Sequence, residues 1–514
     1  MSQSLKPQGT ELRAAVLLTL ALAFARLVAL FKSPLELYPD EAQYWLWSRT
    51  LDFGYYSKPP VIAWSIWATT ALGGDTEPWV RLSAVLFQAG AALVAFLIGR
   101  RLYGAATGLA AAALYGLMPG VQLSALVAAT DAPLLFFLSL TILAYVILLG
   151  GPARRVAVAV AMGLGAALGL AFLSKYAAVY FVIGLILHLA VSKTARAAWS
   201  LPTAAAAALA FAVIVAPNVF WNAAHGFATL QHTAANAAWN GVQLFNLAAA
   251  GAFLASQFGV FGPIPLGALI AGTALAILRR RLSAHDLMLL CFTLPPLVIV
   301  TAQAFISRAN ANWSGAGYLA GAILVAAWLV RWRARRLLIA ALAIQAALAA
   351  FFLVGVVSPS VADKAGLSNG LKRARGWSET TDLILNRAER EPGLTAIAVN
   401  NRFLFYAVSY YGRDRLGGEA PPLVSWLLMD GPRNQAETAA PLTPTIGQRV
   451  LMVSYEGWRR AEMEADFAKA RDLEIGSVWL DRRHKRKVEM FVGQGFAPRP
   501  RNALSGLPDR PTPP

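Results

Sequence analysis

The sequence predicts an α-helical polytopic membrane protein of about eleven spans followed by a small α/β domain, and three observations carry that expectation. Hydrophobic residues fill 57% of the 514 positions and charged residues only 14%, a balance too apolar for a soluble chain of this length. Apolar stretches close to the ~20 residues that cross hydrocarbon recur at 14–31, 80–99, 105–129, 132–150, 156–173, 177–192, 201–219, 249–277, 286–306, 315–330 and 337–357. Every second connection between them is short and basic: Arg100-Arg101, Arg154-Arg155, Lys193 with Arg196, Arg279-Arg280-Arg281, and Arg331 with Arg333, Arg335 and Arg336. Such connections stay on the cytoplasmic side, so the net charge of +18 follows membrane topology and gives no reason to expect a nucleic-acid partner.

Residues 1–13 carry Lys6 and Arg13 and are expected in the cytoplasm. No small-residue cleavage site follows the first apolar run, which ends at Phe31-Lys32-Ser33-Pro34 and reads as a retained span. The first outer loop, 32–79, opens with Tyr38-Pro39-Asp40-Glu41, whose two acids suit the start of a helix. Tyr44, Trp45 and Trp47 make that helix an interfacial one, and Trp64 and Trp67 mark a second. Between them Ser57-Lys58-Pro59-Pro60 holds a cation on a stiff turn. Ser174-Lys175-Tyr176 separates the fifth and sixth spans with almost no loop, as in a broken or re-entrant pair. The transmembrane region is expected to end at 357 and an extracytoplasmic domain to occupy 358–497. In that domain Leu371 to Arg390 has helical spacing, Thr395 to Val399 and Arg449 to Ser454 read as strands, and Tyr455 to Arg471 returns to helix. Residues 498–514, rich in Pro and Arg, read as a disordered tail. Cys291 is the one cysteine, which excludes an intramolecular disulfide.

The connections assigned to the outer side collect the chemistry-bearing residues: Asp40, Glu41, Lys58, Asp131, Lys175, His225, Arg308 and Trp313. Acids and bases beside hydrocarbon are costly and mark function, although each also has a plainer reading. Asp40 and Glu41 serve as helix caps, Lys58 as a snorkelling lysine, and Asp131 in Thr130-Asp131-Ala132-Pro133 as a turn residue. His225 and His232 read as loop residues, without the spacing of a zinc site. Gly163-Leu164-Gly165 with Gly169 lies inside a span and reads as close helix packing rather than a dinucleotide fingerprint. Neither a P-loop nor an Asp-x-Asp pair occurs, which argues against a nucleotide-sugar donor.

Taken in order, Tyr38 to Trp45, Gly54 to Pro60, Thr130 to Pro133, Leu173 to Tyr176, Trp221-Asn222 with His225, and Asn312-Trp313 with Tyr318 resemble the bacterial protein-mannosyltransferase-like branch of the GT-C glycosyltransferases. That branch is glycosyltransferase family 39, and the aminoarabinose transferases acting on lipid A are relatives. The resemblance covers about residues 35–320. It implies a GT-C fold and an inverting transferase in the bacterial inner membrane. The enzyme would move a sugar from a polyprenyl phosphate to lipid A, a lipopolysaccharide core, another envelope glycan or a protein, with the site and the C-terminal domain in the periplasm. Asp40 would match the catalytic acid, Glu41 would support it, and Asp131, Lys58 and Lys175 would line the sugar-phosphate cavity, the lysines on the phosphate. Tyr44, Tyr55, Tyr56, Asn222, His225, Arg308, Asn312 and Trp313 would contact substrates. Some relatives carry an acid, a possible metal ligand, just before the loop lysine; Ser57 stands there, which argues against a divalent metal, and no other cofactor is expected. A carrier or flippase for a lipid-linked saccharide is the rival reading, but the chain has no paired halves and its polar residues gather on one side.

Overall fold

A computed structural model describes residues 9–237, 245–279, 282–418 and 420–501, which form two compact units. One is helical and comprises the chain to Ser33 together with Asp52–Val357; the other joins Pro34–Leu51 to the chain from Ser358 onward.

Among the described residues of the helical unit, eight helices are long and apolar enough to cross a membrane: Thr10–Lys32, Glu77–Tyr103, Asp131–Leu149, Arg154–Ser174, Leu201–Ala224, Ala284–Ile306, Ala311–Arg331 and Arg335–Val357. Two more expected spans are bent pairs, so the count reaches ten. Ala105–Leu117 and Pro119–Ala125 meet at 59°, because Pro119 cannot supply the backbone donor that would continue the first helix. The Gly116 carbonyl stranded there accepts Arg26 Nη2 at 2.6 Å and Gln122 Nε2 at 2.7 Å. Leu247–Val260 and Pro263–Arg279 meet at 116° around Gly262, whose φ of +101° favours glycine, and Gln345 Nε2 donates to the Phe261 carbonyl at 3.0 Å. The expected sixth span is shorter than the others: Lys175 is extended, Tyr176–Ala178 is a 3₁₀ turn, and the helix proper is Val179–Val191.

The helical core is aliphatic and aromatic, with Phe181 stacked on Phe292 and Tyr145 hydrogen-bonded to His188. At the basic end of the helices one buried acid is paired: Asp286 accepts both guanidinium nitrogens of Arg331 (2.6 and 3.0 Å) and the Tyr103 hydroxyl (2.8 Å).

The second unit holds a sheet in which β1 (Ala396–Val399) pairs in parallel with β2 (Leu423–Ser425) and β3 (Arg449–Ser454). Antiparallel to β3 runs β6 (Lys485–Phe496), which also pairs with β4 (Phe467–Asp472) and β5 (Gly476–Trp479). Tyr455 to Arg471 departs from the expected helix. A 3₁₀ turn at Gly457–Arg459 and the short α-helix Arg460–Glu464 are all the helix there, and Phe467 onward is strand. The helix formers of Ala468-Lys469-Ala470-Arg471 yield to the open edge that β6 offers and to the burial of Phe467. The first residues assigned to the tail are held: Arg499 and Arg501 both bond buried Asp466, while 502–514 lie outside the described residues.

Helix Pro39–Ser48 belongs to this unit and differs from the interfacial helix expected. Tyr44, Trp45 and Trp47 are each at most 6% exposed, and Trp45 packs edge-on against Tyr410 of helix Arg402–Tyr411. Aromatic residues at helical spacing mark a lipid boundary and a protein core equally well, and a partner more than 350 residues away decides for the core. Helix Val61–Gly73 keeps Trp67 half exposed.

Candidate active site

In the helical unit Lys175 Nζ donates to Asp131 Oδ1 at 2.8 Å, and Asn312 Nδ2 reaches Asp131 Oδ2 at 3.3 Å. Three elements deliver these groups. Asp131 opens helix Asp131–Leu149, where the helix dipole favours a carboxylate. Lys175 caps Arg154–Ser174 in extended conformation, which turns its side chain out of the helical ladder. Asn312 sits on the 3₁₀ turn Ala311–Gly317, and buried Gln257 secures that turn by accepting the Ser314 and Tyr318 hydroxyls at 2.8 Å each. The Lys175 and Asp131 side chains are 21% and 19% exposed, so a ligand can reach a pair that is largely out of water. Of the predicted residues, Asp131 and Asn312 line a cavity of about 360 Å³ whose other walls are Tyr318 and the broken helix at Met118, Val121 and Ser124. A chamber with apolar walls and one charged corner suits an amphipathic ligand.

The segment that carries Lys58 is tied to helix Leu201–Ala224 and its continuation. Asp52 accepts the Trp221 indole N–H at 2.6 Å, the Phe53 carbonyl accepts Asn218 Nδ2 at 2.6 Å, and the Tyr55 carbonyl accepts the Thr229 hydroxyl at 2.6 Å. The Tyr55 N–H donates to the Lys58 carbonyl at 3.2 Å, closing the turn. Gly54 permits the approach, since a Cβ there would lie 2.4 Å from the Trp221 ring. Burial pushes the Tyr55 phenol up to about 12, so it stays protonated while its oxygen accepts the Asp52 N–H.

The other predicted contacts divide. His225 is exposed and stacks on Trp221 with ring centres 4.1 Å apart, and Tyr56 meets His232 edge-on. Asn222 is buried and donates to Tyr176 Oη and to the Asn218 carbonyl, so it works inside the structure. Trp313 packs on Ala250, Phe253, Val300 and Ala304, and Arg308 is exposed.

In the second unit Asp40 is 56% exposed, and Arg402 Nη1 bridges it (3.2 Å) to Gln43 Oε1 (2.6 Å). Glu41 is fully buried and accepts the Tyr38 N–H at 2.9 Å, the back-bond of an acid three places into a helix. Tyr44 is buried against Trp47. Among the described residues no group of three or more His, Cys, Asp or Glu is arranged to hold a metal ion.

Known proteins resemble this chain in sequence and in fold. A family model described as dolichyl-phosphate-mannose-protein mannosyltransferase matches residues 57–221, which include the Lys58 segment, Asp131 and Lys175. The lipid A galacturonosyltransferase RgtD of Rhizobium johnstonii is 35% identical over 416 residues, covering 80% of this chain and 85% of that one. The chain belongs to the protein-mannosyltransferase-like branch of the GT-C glycosyltransferases. It is a multi-pass membrane enzyme that uses a polyprenyl-phosphate-linked sugar, not a carrier. Solved structures share the GT-C fold: ArnT from Cupriavidus metallidurans in the apo state superposes with a TM-score of 0.64 at 18% identity, over 93% of this chain and 97% of that one. ArnT bound to undecaprenyl phosphate gives 0.64 at 19%, over 92% and 97%. The archaeal oligosaccharyltransferase AglB from Archaeoglobus fulgidus gives 0.51 at 14%, over 87% and 70%.

Sequence reasoning missed four residues that hold the predicted ones, three in the helical unit and one in the second. Asp52 and Asn218 anchor the Lys58 segment, Gln257 braces the Asn312 turn, and Arg402 meets Asp40. A signal existed for Asn218 and Gln257, each a polar residue in an apolar run, whereas nothing local marks Arg402.

Proposed function

We propose that the enzyme works at the periplasmic face of a bacterial inner membrane and transfers a uronic-acid sugar from a polyprenyl phosphate to lipid A. The name of its relative RgtD supports both the acceptor and the sugar, and the undecaprenyl phosphate bound by ArnT supports the carrier. The observation that carries the reading is the Lys175–Asp131 pair beside an apolar cavity, because a lipid-borne phosphate needs a cation at its head and hydrocarbon along its tail.

In the proposed reaction an acceptor hydroxyl attacks the anomeric carbon from the face opposite the phosphate. The new C–O bond forms as the bond to the phosphate oxygen breaks, with inversion. Asp40 takes or orients the hydroxyl proton, and Arg402 with Gln43 fixes the direction of its carboxylate. Lys58 and Lys175 stabilise the departing polyprenyl phosphate, which needs no protonation to leave as a stable anion. Glu41 contributes the helix that holds Asp40.

Lipid A from strains with and without the gene, compared by mass spectrometry, tests the acceptor and the sugar together: a hexuronate mass increment must appear only with the gene. Identical lipid A profiles would exclude this acceptor. Asp40→Asn in purified protein is expected to lose transfer with unchanged folding, and near-normal turnover would remove Asp40 from the reaction.

A further inference from the structure

Asn218 lies at the meeting point of two segments that carry the two lysines. It is 3% exposed on helix Leu201–Ala224, immediately after Pro217. Its Nδ2 donates to the Phe53 carbonyl at 2.6 Å, five residues before Lys58. Its Oδ1 accepts the hydroxyl of Tyr176 at 3.1 Å, the residue next to Lys175, and Asn222 Nδ2 reinforces the contact by donating to Tyr176 Oη at 3.3 Å. One carboxamide thus spends its donor on one lysine-bearing segment and its acceptor on the other. No aliphatic residue does both, and an aspartate at this position keeps only the acceptor.

The remaining anchors are arranged around this link. Asp52 and Trp221 hold the start of the Lys58 segment, and Gly54 lets it lie close enough for Asn218 to reach the backbone, its absent Cβ standing 3.0 Å from Asn218 Nδ2. On the other side Lys175 continues to Asp131 at 2.8 Å, so the chain of contacts runs from the loop backbone through Asn218 and Tyr176 to the charged corner of the cavity.

We propose that Asn218 is a positioning residue that sets the spacing between Lys58 and Lys175, so that both ammonium groups meet one phosphate of the lipid-linked donor. The inference rests on the assignment of the two lysines to that phosphate. A charge clamp of this kind acts only when both cations are held at the same anion, and losing its alignment costs affinity without removing a charge.

The test is binding of undecaprenyl phosphate to the purified enzyme in detergent, for the wild type, Asn218→Asp, Tyr176→Phe, Lys58→Ala, Lys175→Ala, and Asn218→Asp combined with each lysine variant. Asn218→Asp is expected to weaken binding about tenfold, the effect of one buried hydrogen bond. Tyr176→Phe, which removes a single oxygen and spares the fold if Asn218→Asp does not, is expected to weaken it several-fold. The decisive reading is the double variants: once Asn218 is changed, removing either lysine must cost clearly less than it costs in the wild type. If both single lysine variants bind undecaprenyl phosphate normally, the lysine assignment fails and the inference with it. If they bind weakly but Asn218→Asp and Tyr176→Phe do not, or the combined losses simply multiply, the lysines stand and the role of Asn218 is overturned.

Discussion

Asp131 and Lys175 form an ion pair at 2.8 Å, so in the proposed reaction the donor phosphate shares the ammonium with a carboxylate. Asp131→Asn removes the charge that orients Lys175 and the acceptor for Asn312, and is expected to lower turnover at least tenfold at saturating donor. Glu41→Gln is expected to keep most activity, because a glutamine three places into a helix caps the Tyr38 N–H as glutamate does. Steady-state rates of the two proteins decide, and a larger loss in Glu41→Gln reverses the ranking. These charges were legible in the sequence because an acid or base at the end of an apolar run stands out. Arg402 was not, since 362 residues separate it from Asp40. A titrating pair outside the spans gives a further expectation. Arg375 bonds both oxygens of Asp363 at 3.0 Å and holds that carboxyl below its usual 3.8. A carboxyl depressed in the folded state contributes stability above its unfolded value and loses it as pH falls through the folded one. The melting temperature of the full-length protein in detergent should therefore be insensitive to this pair from about pH 7 to pH 5 and fall below about pH 4. Asp363→Asn should flatten that fall, and an unchanged acid limb would show that the pair contributes nothing.

The glycines of the fifth span show what an element-level pattern tells and what it hides. A Cβ on Gly165 would lie 2.0 Å from the Ala207 carbonyl oxygen, and one on Gly169 would lie 2.8 Å from Ile214, so helices Arg154–Ser174 and Leu201–Ala224 meet backbone to backbone at Gly165 and backbone to side chain at Gly169. Gly163 has open space instead, and the triplet read as one packing motif is two contacts and a bystander. Gly165→Ala is expected to destabilise by ~1–3 kcal/mol through overpacking, and to disturb Asn218 on the partner helix. Gly163→Ala should be neutral or slightly stabilising, because alanine is the better helix former. Thermal unfolding in detergent separates them, and equal effects would mean that the two helices adjust freely. Long apolar periodicity made the helices legible, and β1 and β3 were readable from their runs of apolar residues. Where pairing decides, as in β4 against β6, local composition misleads: four helix-forming residues run as a strand because a buried phenylalanine and an open sheet edge outweigh their propensity.

At the scale of the whole molecule the distribution of charge bears on which face of the membrane carries the chemistry. The alternation of basic connections places Arg100, Arg154, Arg279 and Arg331 together on one side, and Asp286 pairs with Arg331 there, while Asp131 and Lys175 sit at the opposite ends of their helices. Hydropathy alone counted eleven equivalent spans. The bends at Pro119 and Gly262 and the short helix after Lys175 show that three of them are not simple crossings, so the parity of the count cannot orient the C-terminal unit by itself. Charge asymmetry is the physical argument behind the proposed orientation, with the basic connections in the cytoplasm and the chain after Val357 in the periplasm. Single cysteines report on this directly once Cys291 is replaced by serine. Ser378 is a poor probe because its hydroxyl bonds Glu36, whereas Arg390 and Arg335 are both exposed. An impermeant maleimide applied to intact spheroplasts is expected to label Arg390→Cys and to reach Arg335→Cys only after lysis. Labelling of Arg335→Cys alone in intact cells would invert the topology, move the C-terminal unit and Asp40 to the cytoplasm, and exclude a periplasmic acceptor.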